Sequence, residues 1–386
     1  MSSETPTLDD RDSYVFCGGG TGGHLLPGVA VAEELVKRGH RPEDITFLVS
    51  ARPMDVELVE GAGFPAVALP GEPFARRSAV GAVRALVSTI AGVRRARRYL
   101  ARMRPAVAVG LGGFASVPGC LAARSLGARL VLAEQNAVAG LANRLLAPLA
   151  AKTCVSFECT SLPRSVVTGN PVRREFHVWG THRRAEARRA LGVPDDKTLI
   201  VVLGGSLGAR RINDALLGAL PALAARGGLA VYHVAGRVEW ERMGDTASAK
   251  VDELADRLWY RVVPFEDRLH LLYSAADLVV ARAGGSTCAE TTAIGVASLL
   301  VPLPGAPGDH QRANAAEMVR AGASVVVEDS ELDSENLLRR LEELLARPDV
   351  LEKMGEAAKR FGRGDAAARV VDVIERVAAA RSGGES

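Results

Sequence analysis

Short apolar, β-branched runs alternate along the chain with longer stretches whose apolar positions recur every three or four residues. In the first half the runs are YVFC, ITFLVS, AVAVGL and ARLVLAEQ; in the second they are TLIVVLGG, LAVYHVAG, ADLVVAR and ASLLVPLP. Near-continuous apolar runs mark strands buried on both faces, so the pattern predicts an α/β protein with parallel sheets covered by helices. VFCGGGTGGH at 15–24 and VVLGGSLGAR at 201–210 repeat one motif, an apolar strand running into a glycine-rich turn and then a helix. Two Rossmann-like, doubly wound domains follow from that repeat, and the crevice between them is the expected ligand site. The predicted organisation is a disordered tail at 1–12, a first domain at 13–168 and a second at 169–365. VVTGNPVRREF at 166–176 serves as linker, because Gly169 and Asn170-Pro171 break the periodicity. The spacing of Val370, Val371, Ile374 and Val377 predicts an amphipathic helix over 366–381.

Composition narrows the picture. A length of 386 residues exceeds what one core usually supports, which agrees with two domains. Five scattered cysteines form neither a disulfide framework nor a paired zinc signature, which suits a reducing compartment. The acidic, polar N-terminus lacks the basic start and apolar stretch of a signal peptide. The long uncharged stretches at 105–123 and 291–308 are broken by Pro and Gly, so no membrane-crossing segment is expected. The net charge of +3 is too small to imply a polyanionic partner, so distribution matters more than sum. Between Pro73 and Arg104 there are nine arginines and no acid. Val83, Leu86, Val87, Ile90, Val93, Leu100 and Met103 recur there at helical spacing with the arginines largely beside them. Docking on anionic lipid is the favoured reading, each arginine near the surface contributing about 1 kcal/mol. One buried face and one solvated basic face is the alternative. A nucleic-acid surface would need more stacking aromatics than Phe74 and Tyr99.

The opening turn carries the first candidate chemistry. Glycines between a strand and a helix let backbone amides approach an anion, and the helix start adds about half a positive charge, so phosphate or pyrophosphate is the natural guest. Gly18, Gly20 and Gly23 also satisfy G-x-G-x-x-G. A nicotinamide cofactor would need an acid at the end of the second strand, and the first acid after ITFLVSARP is Asp55, beyond that end. No Lys-Ser or Lys-Thr follows the glycines, which excludes a P-loop. His24 stands at the turn's exit, before a helix expected to begin near Leu26 with Pro27 in its first turn. A capping imidazole and a catalytic one both fit that place.

A series of motifs then decides between the readings. GGGTGGHLLPGVAVAEEL, GLGGFASVPG, EQNAVAGLANR, VTGNPVR, GGSLGARRIN, VPFEDRLHLLYSAADLVVARAGGSTCAE and VPLPGAPGDHQRANA occur in this order. Together they resemble the MurG family, the N-acetylglucosaminyltransferases of glycosyltransferase family 28, over about residues 14 to 376. The resemblance implies a two-Rossmann (GT-B) enzyme that moves N-acetylglucosamine from UDP-N-acetylglucosamine to the 4-hydroxyl of the muramoyl-peptide of lipid I, with inversion, forming lipid II. It implies no cofactor and no essential metal, and no DxD-like metal motif accompanies the expected diphosphate contacts. The second domain would bind the donor and the first the lipid acceptor, with the last helix crossing back onto the first domain. The expected place is the cytoplasmic face of the bacterial inner membrane, with lipid I, anionic lipids and other cell-wall synthesis proteins as partners. A relative glycosylating another lipid, a nicotinamide oxidoreductase and a catalytically silent membrane-binding scaffold are the alternatives.

Carried over position by position, the resemblance places the donor diphosphate on Gly284, Gly285, Ser286 and Thr287, followed by Cys288 and Ala289, with Ser206 and Arg173 as further donors. Helix dipoles and Arg173 would then replace a divalent cation. One such preorganised donor is worth about 3 to 4 kcal/mol in the transition state. Glu290 would accept the ribose hydroxyls, main chain near Phe265 and Glu266 would read uracil, and Gln311 would contact the sugar hydroxyls. His310 and Asn314 fit a framework role. Thr21, Gly22, Gly23 and Asn136 would lie close to the donor sugar. His24 is the leading candidate for general base or acceptor-diphosphate contact, and Glu134 is its rival. Ala133, Phe114 and Leu207 depart from the family's usual His, Tyr and Gln.

Overall fold

A computed structural model describes residues 12–20, 22–70, 79–205 and 207–382, and only the backbone of 79–84 and 381–382. By contact the chain forms two units. The first runs to Gln135, resumes over Ala139–Pro171 and is completed by the chain from Asp365; the second comprises Asn136–Val138 and Val172–Gly364.

The first unit holds β1 (Tyr14–Gly18), β2 (Ile45–Ser50), β3 (Ala66–Leu69), β4 (Val107–Gly112), β5 (Arg129–Glu134), β6 (Lys152–Val155) and β7 (Ser165–Val167). They form one parallel sheet in the order β3-β2-β1-β4-β5-β6-β7. The second unit holds β8 (Thr198–Leu203), β9 (Leu229–Val234), β10 (Trp259–Val263), β11 (Leu278–Ala281), β12 (Ala297–Leu300) and β13 (Ser324–Val326). These are also parallel, in the order β10-β9-β8-β11-β12-β13. Side chains alternate across each sheet. Tyr14 and Phe16 enter one apolar layer and Val15 and Cys17 the opposite one; Ile200 and Val202 oppose Leu199, Val201 and Leu203 in the same way. Burial on both faces is why these strands are continuously apolar.

Strand order reverses between β1 and β4 in the first sheet and between β8 and β11 in the second. Ligands of such folds bind beyond the carboxyl ends of the strands at that reversal. The glycine turns that follow β1, β4, β8 and β11 all begin there.

Helix Ala366–Ser382 belongs to the first unit. Val370, Val371, Val373, Ile374 and Val377 join the apolar layer of β1, β2 and helix Gly22–Lys37. Burying each side chain contributes roughly 1.5 to 3 kcal/mol. Arg38 clasps the helix through Asp372 at 2.7 Å and Glu375 at 2.8 Å.

Helix Ala79–Met103 divides the apolar positions of the basic stretch. Ala85, Ala96 and Leu100 are buried, and Val93 and Met103 pack against the core. Leu86 and Val87 are instead 57% and 61% exposed, and Ile90 is exposed as well. At about 100° per residue, positions one or two off the buried line point away from it, so the single stripe read from the sequence is two faces. Residues 73–78 of that stretch lie outside the described residues. Among the described residues no helix is long and apolar enough to cross a membrane.

Candidate active site

In the first unit, β1 ends with a register break, Cys17 facing Gly110 of β4 while Gly18 faces Gly112. Gly19 at φ 141° and Gly20 at φ 92° then turn the chain through a region open to glycine. The helix begins at Gly22, not near Leu26, so His24 lies in its first turn and Pro27 in its second. A proline there crowds the carbonyl four residues back, and that residue is Gly23, whose backbone yields most easily. The His24 ring lies against the turn after β4: a Cβ on Gly112 would be 3.1 Å from its Cδ2, and one on Gly113 3.5 Å from its Nδ1.

Asn143 comes to the same place, its Nδ2 3.5 Å from the Gly112 Cβ position. It donates to Glu134 Oε2 at 2.9 Å, and Gly140 N–H donates to that oxygen at 2.9 Å. Glu134 is 3% exposed at the end of β5. Gln135 Nε2 donates to Leu111 O at 3.0 Å. Gln135 Oε1 and Asn143 Oδ1 are buried acceptors with no hydrogen-bond partner among the described residues. The structure thus brings His24 and Asn143 together at Gly112, with Glu134 bonded to Asn143 behind them.

The opening turn differs from the anion cradle expected of it. Gly20 N–H donates to Asp55 Oδ2 at 2.7 Å, and Ser50 Oγ donates to the same oxygen at 2.5 Å. A carboxylate of the chain itself occupies that amide. Thr21 lies outside the described residues, as does Ser206 in the turn after β8.

The second unit gathers most of the expected donor residues. After β11, Gly284 caps helix Gly285–Ile294, which carries Ser286, Thr287, Cys288, Ala289 and Glu290. Glu290 is buried and has no hydrogen-bond partner among the described residues. Burial pushes its carboxyl up to about 7, against the pull of the Arg173 guanidinium. Arg173 stacks on Phe176, Cζ 5.4 Å from the ring centroid, and its buried Nε has no partner among the described residues. The hydroxyl of Tyr273, also without a partner, feels both Glu290 and Arg173. Burial pushes the Cys288 thiol up to about 12, so it is an inert packing group.

Around this helix the loops are braced. Glu266 accepts from Tyr232 Oη at 2.7 Å and from Arg268 N and Nε, each at 3.0 Å. Burial raises its carboxyl, but those donors outweigh burial and hold it down at about 2. Phe265 beside it is 42% exposed, with Arg237 Cζ 4.2 Å from its ring centroid. In the turn after β8, Gly208 and Gly236 meet backbone to backbone, a Cβ on Gly236 falling 2.1 Å from Gly208 N, while Leu207 is exposed. Gln311 Oε1 accepts Leu303 N–H at 2.9 Å, which leaves its amide nitrogen as the end free to donate. His310 Nδ1 meets Pro307 O at 2.9 Å. Asn314, fully buried, donates to Ala283 O and Asn136 Oδ1 at 3.0 Å each and accepts Ala137 N–H at 2.8 Å. Asn136 is thereby fixed to the second unit.

Residues 14–155 match the glycosyltransferase family 28 N-terminal domain and residues 199–370 its C-terminal domain. The UDP-N-acetylglucosamine--N-acetylmuramyl-(pentapeptide) pyrophosphoryl-undecaprenol N-acetylglucosamine transferase of Acidothermus cellulolyticus is 39% identical, over 95% of this chain and 98% of the relative. The transferase of the same name from Stutzerimonas stutzeri is 37% identical, over 95% and 99%. The chain belongs to the MurG family within glycosyltransferase family 28. The crystal structure of Acinetobacter baumannii MurG covers 94% of this chain and 99% of its own at a TM-score of 0.73 and 29% identity. The UDP-GlcNAc 2-epimerase of Neisseria meningitidis, at 16% identity, 94% and 100% coverage and a TM-score of 0.65, shares the fold alone. The two parallel-sheet domains are those of a GT-B MurG-family enzyme.

Three residues around the site had no role in the sequence reading. Asn143 lies inside EQNAVAGLANR, where a polar residue on a buried helical face was the available signal. Asp55 is an acid in the first turn of helix Pro53–Gly61. Tyr273 belongs to an apolar run, and nothing local separates it from core.

Proposed function

We infer that this chain transfers N-acetylglucosamine from UDP-N-acetylglucosamine to the muramoyl-peptide of lipid I, forming lipid II in peptidoglycan synthesis. The observation that supports the donor half most directly is the buried Glu290 in the helix that starts at Gly285, within the electrostatic reach of the Arg173 guanidinium, whose buried Nε has no partner among the described residues while its Nη2 donates to Asp267 O at 3.5 Å. The amides of Gly284, Gly285 and Ser286 and the Arg173 guanidinium receive the diphosphate, whose charge grows as the glycosidic bond breaks. Glu290 as carboxylate accepts the ribose hydroxyls, and the braced loop at Phe265 and Glu266 reads uracil through its main chain. The free amide end of Gln311 donates to the sugar. In the transfer the acceptor 4-hydroxyl oxygen bonds to the anomeric carbon, UDP leaves from the opposite face, and the hydroxyl proton passes to His24. Glu134 is the poorer base, since two donors already hold its Oε2, and it positions Asn143 instead. Arg173 and the helix dipole carry the charge that a divalent cation would otherwise neutralise.

The enzyme works at the cytoplasmic face of the membrane. Exposed Leu86, Val87 and Ile90 beside the arginines of helix Ala79–Met103 meet anionic lipid there. Phosphatidylglycerol liposomes should retain the protein at low salt and release it as salt rises; failure to bind removes this part of the reading.

Release of UDP from UDP-N-acetylglucosamine with a short-chain lipid I analogue tests the whole. His24→Ala and Glu290→Ala should both depress turnover; wild-type rates in the two variants reject the assigned roles. UDP-N-acetylgalactosamine, differing at the 4-hydroxyl, should lose about 1 kcal/mol or more if Gln311 contacts that group.

A further inference from the structure

We propose that Asp55 is a positioning residue for the transfer: its carboxylate holds the first glycine turn in the way a bound anion holds such turns, and thereby fixes the backbone leading into His24. Asp55 is 4% exposed, and its Oδ2 receives both the Gly20 amide and the Ser50 hydroxyl. Arg52 Nη1 donates to the carbonyl of that same Gly20 at 2.5 Å. One residue is therefore gripped at both its peptide groups by two side chains of the segment after β2. From the other direction the turn meets the segment after β4: the Cβ position of Gly113 is 2.4 Å from Gly19 O, and that of Gly20 3.3 Å from Phe114 Cε1. Gly19 leaves no space for a side chain on that side, a Cβ there falling 2.7 Å from Asp55 Oδ2 and 2.9 Å from Ser50 N.

A turn wedged in this way sets where the helix starts at Gly22 and where the His24 ring meets Gly112 and Gly113. Misplacing a reacting group by about 1 Å can cost on the order of 100-fold in rate, so a grip four residues from His24 is close enough to matter. This proposal rests on the role assigned to His24, and the test separates the two.

The full-length enzyme is assayed as Asp55→Ala, Asp55→Asn and Arg52→Ala, with kcat and KM for both substrates, thermal melting, and the imidazole ¹H–¹⁵N spectrum of His24 assigned through His24→Ala. Asp55→Ala should lower kcat by about 30- to 100-fold, leave KM for UDP-N-acetylglucosamine within about twofold and move the His24 ring signals. Asp55→Asn, which keeps one acceptor oxygen, should recover part of the rate. Arg52→Ala, a change at an exposed residue, should lower kcat by roughly fivefold with an unchanged melting temperature. Wild-type turnover in both Asp55→Ala and Arg52→Ala, or a fall in kcat with unmoved His24 signals, overturns the proposal. Should Asp55→Ala fail to fold, Arg52→Ala decides alone. If the ring signals move and kcat falls while His24→Ala keeps full turnover, the grip on the turn stands and the base assignment falls.

Discussion

The helix starts after β1 and after β11 have the same kind of sequence, glycines leading into a helix, yet they reach opposite electrostatic states. At the first, the turn itself is committed internally: Gly20 N–H is held by Asp55 and its carbonyl by Arg52, and the nearby Glu134 oxygen by Gly140 and Asn143, although Gln135 Oε1 and Asn143 Oδ1 behind it have no partner among the described residues. The second keeps its polar groups in reserve, with Arg173 Nε and the Tyr273 hydroxyl unpartnered among the described residues and Glu290 pushed up to about 7 by burial. A buried group left unsatisfied costs about 1 to 3 kcal/mol, a cost that a fold retains where a ligand will offset it. A glycine pattern alone therefore does not mark an anion site; the acids within reach of its amides decide.

The largest expected effect breaks the reserve at Arg173. Arg173→Ala should lower kcat by about 100- to 1,000-fold, the loss of one preorganised donor, and Arg173→Lys should restore little because a point charge does not reproduce the planar fork. Glu290→Ala comes next, with kcat/KM for the donor reduced on the order of 100-fold through two lost ribose hydrogen bonds.

A smaller effect appears in pH dependence. If the ionised Glu290 accepts the ribose, UDP affinity should rise up to about tenfold between pH 6 and pH 8, and Glu290→Gln should flatten that rise. Stability runs the other way. The folded carboxyl lies near 7 against an ordinary 4.5, so its contribution is complete below 4.5 and is lost as pH rises through about 7. Glu290→Gln should accordingly gain on the order of 3 kcal/mol over the parent at pH 8, read from urea unfolding at pH 5 and pH 8. The smallest change is Tyr273→Phe, which removes a buried hydroxyl without a partner and should alter stability by less than about 1 kcal/mol. A large destabilisation there would show that the hydroxyl is committed and would weaken the contrast between the two helix starts.

The parallel α/β architecture is legible in the sequence because the eight apolar runs are β1, β2, β4 and β5 and β8, β9, β11 and β12, the middle of each sheet. The remaining strands, β3, β6, β7, β10 and β13, lie toward the sheet edges. Three residues such as SVV at β7 or β13, partly solvated, carry no periodicity to detect. The glycine turns and Glu290 could be placed because chain-local spacing fixes them. The grip of Asp55 on Gly20 spans 35 residues, and that of Asn314 on Asn136 spans 178. Such pairings depend on strand order, which a single sequence does not carry. Likewise, the apolar spacing of helix Ala79–Met103 could not say which of its two faces the sheet covers.

Titrating the ¹⁵N-labelled enzyme with UDP and following backbone amides tests the contrast most directly. Saturable shifts at Gly284, Gly285 and Ser286, with the Gly20 amide unmoved, are the predicted result. A Gly20 amide that titrates with the same dissociation constant while residues 284–286 stay still would contradict the account.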